Sequence, residues 1–117
     1  MTLTKHTSVI RGLTGLLACV FLAAGGAKLA GLEQVILPFE RLGMPSLALL
    51  VGLCEIALAV ALFIPRFQLA ALLGLSATML GAIGYHLTLD PDKAFLPGLV
   101  LLILCAVLTW FRRPQAA

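Results

Sequence analysis

The sequence predicts an all-α integral membrane protein, a bundle of four transmembrane helices with both termini in the cytoplasm. Its 117 residues are 62% hydrophobic and 11% charged, whereas soluble domains carry about 25% charged residues. The charges lie mainly between four long apolar stretches, each near the length of about 20 residues that crosses a hydrocarbon core about 30 Å thick. These stretches account for most of the chain, so we expect a single transmembrane domain over residues 1–117.

The apolar stretches place the predicted spans at about residues 9–31, 46–64, 67–88 and 94–111. The first follows a basic flank, as a signal sequence does, but its apolar run is longer than the about 7–15 residues of such a sequence, so we expect it to stay uncleaved. Pro45 suits the start of the second span. Pro65-Arg66 makes an abrupt turn, so spans two and three should form an antiparallel hairpin.

The third and fourth spans end at recognisable signals. Asp90-Pro91-Asp92 breaks the third span, and Trp110-Phe111 before Arg112-Arg113 supplies an interfacial anchor for the fourth. The connection over residues 32–44 mixes apolar and charged side chains. It forms either a short helix on the outer interface or an irregular, partly buried loop.

The placement of basic residues sets the predicted orientation. The side with both termini and the second connection carries basic residues and no acids, whereas the opposite side carries both. Since an excess of Lys and Arg marks the cytoplasmic side, we expect both termini there, in a multi-pass protein of the bacterial inner membrane. This pattern fits anchoring in the lipid bilayer and excludes a soluble patch that would bind nucleic acid. The basic residues of that side are Lys5, Arg11, Arg66, Arg112 and Arg113.

Three ionisable residues lie inside or at the end of apolar spans: Lys28, Glu55 and His86. Such groups are costly at membrane depth, so they pair, face a cavity or act in chemistry. At 1.5 Å per residue, Glu55 lies about 15 Å deep, and His86, after about 30 Å of its span, lies near the outer surface. With Lys28 near the outer end of the first span, all three belong to the outer half or its boundary.

Each of these residues has a structural and a functional interpretation. Lys28 can extend to the outer headgroups, Glu55 can pin helices together as an ion pair or a protonated carboxyl, and His86 can be an interfacial residue. Alternatively, the three form one polar pocket that binds a polar head group or moves protons. Small neighbours such as Gly25 and Gly52 leave room for a partner helix or a ligand. The spacing of Ala70 with Gly74 and of Ala77 with Gly81 also allows close helix packing.

The cysteines and motifs point to no metal or dithiol site. Cys19, Cys54 and Cys105 each lie alone within a span, without the C-x-x-C spacing of a dithiol redox centre, so we expect structural roles as small hydrophobic residues. One Glu and one His do not predict a metal site, and no nucleotide-binding or hydrolase motif is present.

A series of short motifs runs through the chain in a fixed order: Arg11, Phe21-x-x-Ala24-Gly25-x-x-Lys28-Leu29, Leu42-Gly43-Met44-Pro45, Gly52-x-x-Glu55, Arg66-x-x-x-Ala70-Ala71 and Met79-x-x-Ala82-x-x-x-His86. In these motifs the chain resembles the DoxX/DoxD-like family of small bacterial membrane proteins. The resemblance extends over about residues 9–105 and implies a four-helix membrane protein. Some relatives are linked to thiosulfate:quinone oxidoreduction, others to thiol and oxidative-stress systems, and eukaryotic relatives to receptor assembly.

Two functions therefore stand as hypotheses. In the first, the protein is redox-associated and its outer pocket receives a quinone or a similar molecule at Lys28, Glu55 and His86. In the second, it is a non-catalytic assembly or scaffold protein with a structural Lys28–Glu55 pair. A small proton-coupled transporter has less support, because such proteins tend to use internal repeats. No catalytic residue is assigned; an enzymatic role would be as part of a quinone-linked oxidoreductase, with a membrane or redox partner or a second copy of the chain.

Overall fold

The described part of the chain is helical, as predicted. A computed structural model describes residues 2–112, with side chains from Thr7 onward. No strand occurs within this range, and the all-α class is confirmed. The helices are α1 (Thr2–Ala30), α2 (Glu33–Arg41), α3 (Leu47–Ala61), α4 (Gln68–Thr88) and α5 (Leu96–Arg112), with a 3₁₀ turn at Pro65–Phe67 between α3 and α4.

Two stretches are long and apolar enough to cross a membrane by length and composition, Thr7–Ala30 and Pro65–Thr88. The other two apolar helices, α3 and α5, are shorter, with 15 and 17 residues. The second predicted span ends early because Pro65 disfavours helical backbone at the preceding residue, and Ile64 is extended with φ −105° and ψ 110°. The four-span arrangement therefore stays a prediction.

Glycine turns end both α1 and α2. Gly31 and Gly43 have φ of +74° and +76°, a left-handed conformation that glycine adopts without a steric penalty. In each turn, the amide after the glycine bonds to the carbonyl five residues earlier, which satisfies the free carbonyls of the helix end. Of the two expectations for residues 32–44, the helix is the one that forms, although none of its residues is fully buried.

The helices pack mainly as two pairs. α1 packs most extensively on α3, and α4 on α5, while α3 and α4 share a smaller contact. The predicted neighbours α3 and α4 thus do meet, with Gly74 against Leu58, but their contact is not the main one. A Cβ added at Gly81, by contrast, would meet no atom of another helix within 4 Å, so no close helix contact lies there. One core joins both pairs; its largest members are Leu17, Phe21, Leu62, Leu72, Leu75, Cys105 and Leu108.

The outward surface of the helices is strongly apolar. Large side chains such as Leu53 (56%), Leu73 (56%) and Trp110 (61%) are exposed along α3, α4 and α5. Soluble monomers rarely present extended apolar surfaces, so this exterior favours a lipid environment. Cys19 and Cys54 lie on the exposed faces, and only Cys105, among the three cysteines, is buried. Cys105 thus fits the expected structural role as a small hydrophobic residue in the core, and for Cys19 and Cys54 that role stays a prediction.

Candidate functional site

The site is built around a close crossing of α1 and α3. A Cβ added at Gly25 would lie 2.7 Å from both the carbonyl oxygen of Gly52 and Cγ1 of Ile56. A Cβ added at Gly52 would lie 2.9 Å from Cβ of Lys28 and 3.0 Å from the carbonyl oxygen of Gly25. The two backbones are thus in direct contact. At this point Gly25 and Gly52, the small residues near Lys28 and Glu55, allow close helix packing and leave no room for a ligand.

This crossing brings Lys28 and Glu55 together. Each follows its crossing glycine by three residues, on helices that run antiparallel. Because side chains lean toward the N-terminus of their own helix, both lean back toward the crossing. Lys28 Nζ lies 2.6 Å from Glu55 Oε1, and the side chains are 14% and 1% exposed. Lys28 therefore extends to a carboxylate in the protein interior, not to the outer headgroups.

The Lys28–Glu55 contact is a largely buried ion pair. Its Nζ–Oε1 distance of 2.6 Å is within hydrogen-bonding reach, although the angles at the contact fall outside those of an aligned hydrogen bond. Because both side chains are withdrawn from solvent, removal of one charge would leave the other without its partner.

His86 belongs to a second polar group, formed with Asp90. Its Nδ1 lies 2.6 Å from Asp90 Oδ2, one helical turn further along the chain. The backbone N–H groups of Asp92 and Ala94 donate to the same carboxylate at 3.0 and 3.1 Å. The bond from His86, followed by that from Ala94, lowers the pKa of Asp90 to about 2. Asp90 is thus a carboxylate at neutral pH and can only accept hydrogen bonds.

Arg41 connects this second group to α2. Its Nη1 donates to the Tyr85 hydroxyl at 2.9 Å and lies 3.7 Å from Asp90 Oδ1. The Tyr85 and His86 rings meet edge to face, with centroids 5.0 Å apart. The last residue of α2 is therefore tied to the end of α4 and to the loop that follows it.

A cavity of about 420 Å³ lies between the two polar groups. Its volume is within the range of about 300–1,000 Å³ of small-molecule sites. Lys28, Glu55 and His86 all line it, so the structure brings the three predicted residues to one cavity, in two separate clusters. The remaining lining residues are Gln34, Val35, Pro38, Phe39, Leu42, Val51, Thr78, Met79, Gly81, Ala82 and Tyr85.

Asp90 and Arg41 were not predicted as members of the site. The spacing of His86 and Asp90, four residues apart, was a signal for the first, since such residues are neighbours on a helix. No comparable signal pointed to Arg41, because its partners are 44 or more residues away. Within residues 7–112, no three His, Cys, Asp or Glu side chains are arranged to hold a metal ion.

The chain matches a known protein family along most of its length. Neither the curated proteins nor the solved structures include a match to this chain. The sequence profile of the DoxX-like family matches residues 12–108, a range that contains the glycine crossing, the ion pair and the His86–Asp90 group. Because this range is most of the 117 residues, the chain belongs to the DoxX-like family.

Proposed function

We propose that this protein is a redox-associated, four-span component of the bacterial inner membrane whose outer cavity receives a quinone or a similar lipid-soluble molecule. The DoxX-like family is membrane-associated, and the apolar exterior and two candidate spans agree with that setting. Both termini lie in the cytoplasm in this proposal, because Arg11, Arg66 and Arg112 share one side. That orientation puts the cavity in the outer half of the bilayer.

The proposal rests on one observation: a largely apolar cavity with polar groups at two separated points of its wall. A quinone has an apolar ring with carbonyl oxygens at opposite ends. Lys28 has three ammonium protons, and those not directed at Glu55 can donate to one carbonyl oxygen. The apolar lining, which includes Phe39 and Met79, suits the ring itself.

The two polar groups also supply proton chemistry. Reduction of a quinone to its hydroquinone takes up protons, and the reverse reaction releases them. Glu55, which lines the cavity beside Lys28, and His86, paired with a carboxylate, are the residues that would accept or supply a proton. The chain itself holds no electron carrier in this proposal, so electrons come from a redox partner.

A binding titration in lipid nanodiscs tests the proposal. Wild-type protein should bind a short-chain 1,4-benzoquinone above the partitioning measured in empty discs. Lys28→Met and Glu55→Gln should each weaken binding by about tenfold, the loss expected for one hydrogen bond to a charged group. Lys93→Met is the matched control, because Lys93 is exposed and lies outside the cavity lining. Unchanged affinity in the first two variants would refute the assignment of the site.

A scaffold function is the alternative, and the position of the ion pair favours it. Lys28 and Glu55 lie where α1 and α3 are in contact. A purely structural ion pair that fixes this crossing would have the same geometry as one that also binds a ligand. In that case the double variant Lys28→Met/Glu55→Gln should keep a co-purifying membrane partner and should fold. Quinone binding by the wild type that disappears in the folded double variant would decide against a purely structural pair.

A further inference from the structure

The second polar group, His86 with Asp90, determines which redox form of a quinone fits the cavity better in the inference that follows. We infer that His86, held by Asp90, is a hydrogen-bond acceptor at the cavity wall, so that the site prefers a hydroxyl-bearing ring, a hydroquinone, over the corresponding quinone. This inference rests on the proposed function and specifies which form of the ligand the resting site holds.

The protonation pattern follows from the partner of His86. Asp90 receives the backbone N–H groups of Asp92 and Ala94 as well as the contact with Nδ1. An ionised carboxylate has no proton to donate, so the proton of this 2.6 Å contact belongs to Nδ1 of the histidine. When the imidazole is neutral, its other nitrogen, Nε2, is then an acceptor, and the inference concerns this neutral form. Asp90 thereby fixes the tautomer and the orientation of the ring.

Nε2 is the nitrogen available to a ligand. It is separated by Cε1 from Nδ1, the nitrogen that contacts Asp90. Among the described residues Nε2 has no protein hydrogen-bond partner. The imidazole lines the cavity and is 27% exposed. Lys28, at the other polar point of the wall, offers donors. The cavity therefore presents a donor at one point and an acceptor at another.

A hydroxyl group and a carbonyl group satisfy these two points differently. The hydroxyl at one end of a hydroquinone can donate to Nε2 of His86, and the hydroxyl oxygen at the other end can accept from Lys28, so the reduced ring meets both points. A quinone carbonyl only accepts, so it meets Lys28 and leaves Nε2 without a donor. Since a partly exposed acceptor without a donor still lowers affinity, the reduced form should bind about fivefold more tightly or better.

Paired titrations test this preference. A short-chain 1,4-benzoquinone and its hydroquinone are titrated anaerobically into nanodiscs, each corrected for partitioning into empty discs. We expect the wild type to favour the hydroquinone, His86→Phe to lose this preference while still binding the quinone, and Asp90→Asn to reduce it, because an amide no longer fixes the tautomer. Asp92→Asn, which removes a neighbouring exposed carboxylate, should leave the preference unchanged.

The outcomes separate this inference from the function on which it rests. Equal binding of both forms by the wild type, or a preference that survives in His86→Phe, overturns the role of His86 and leaves quinone binding intact. Binding of neither form by the wild type refutes the proposed function as well. His86→Phe keeps an aromatic ring at the position, and retained quinone binding by this variant shows that the cavity is still formed.

Discussion

The contact between α1 and α3 gives a prediction with a built-in control, because glycines stand both at the crossing and next to it. Gly25→Ala places a methyl group 2.7 Å from the carbonyl oxygen of Gly52 and from Cγ1 of Ile56. Gly26→Ala places the same methyl group one position further along α1. Apart from the adjacent backbone of α1, no atom lies within 4 Å of that position. The two variants differ in this contact and share the same change of residue type.

The expected difference can be worked from these two environments. Alanine is better than glycine in a helix by about 1 kcal/mol, and this gain applies to both variants. Forcing a methyl group into a packed interface costs about 1–3 kcal/mol, and the upper part of that range applies at Gly25, since a backbone oxygen cannot rotate away. Gly26→Ala should therefore stabilise the protein by up to about 1 kcal/mol, and Gly25→Ala should destabilise it by about 1–2 kcal/mol.

Thermal unfolding of detergent-solubilised protein measures this difference directly. Gly26→Ala should melt at or above the wild-type temperature, and Gly25→Ala several degrees below it. The comparison uses the rank order and the gap between the variants, which remain informative when membrane-protein unfolding is irreversible. Equal melting temperatures for the two variants would refute the close crossing of α1 and α3, and with it the geometry that brings Lys28 to Glu55.

Further predictions concern the polar contacts. Lys28→Met should lower the free energy of unfolding by about 3 kcal/mol, because it leaves Glu55 buried without its partner, and adding Glu55→Gln should recover part of that loss in a double-mutant cycle. The pKa of Asp90 lies below its usual 3.8, at about 2, so its contribution to stability is complete above about pH 4 and lost as the pH falls through about 2. Melting temperatures across that window should fall more steeply for the wild type than for Asp90→Asn. Arg41→Gln should speed amide hydrogen exchange in α2 and leave α1 unchanged, because Arg41 ties α2 to the end of α4; equal exchange in α2 would show that this contact does not hold the helix.

The sequence was sufficient for the helical class. Apolar stretches interrupted by Pro65 and by Asp90-Pro91-Asp92 give predicted spans whose ends lie within three residues of those of α3, α4 and α5, whereas α1 begins seven residues before the predicted start. Counting residues from the span ends put Lys28, Glu55 and His86 toward one end of the bundle, because helix rise converts position in the chain into depth. All three residues line one cavity.

The pairing of helices was harder to predict than the Lys28–Glu55 pair, which the sequence offered as one interpretation. Residue counting gives depth but not which faces meet, and the dominant α1–α3 contact depends on Gly25 facing Gly52. Asp90 was interpreted only as part of the turn that ends the third span, although its four-residue spacing from His86 was an available signal. The bonds from Ala94 and Asp92 to its carboxylate depend on the path of the loop, which the sequence pattern does not give.

The cavity lies beside the point where α1 and α3 are connected. α1 ends five residues after Gly25 and α3 begins five residues before Gly52, and the chain between them folds as α2. α2 covers the cavity with Val35, Pro38 and Phe39. Since no residue of α2 is fully buried, its position over the cavity depends on the Arg41 contacts with the end of α4 as well as on apolar packing.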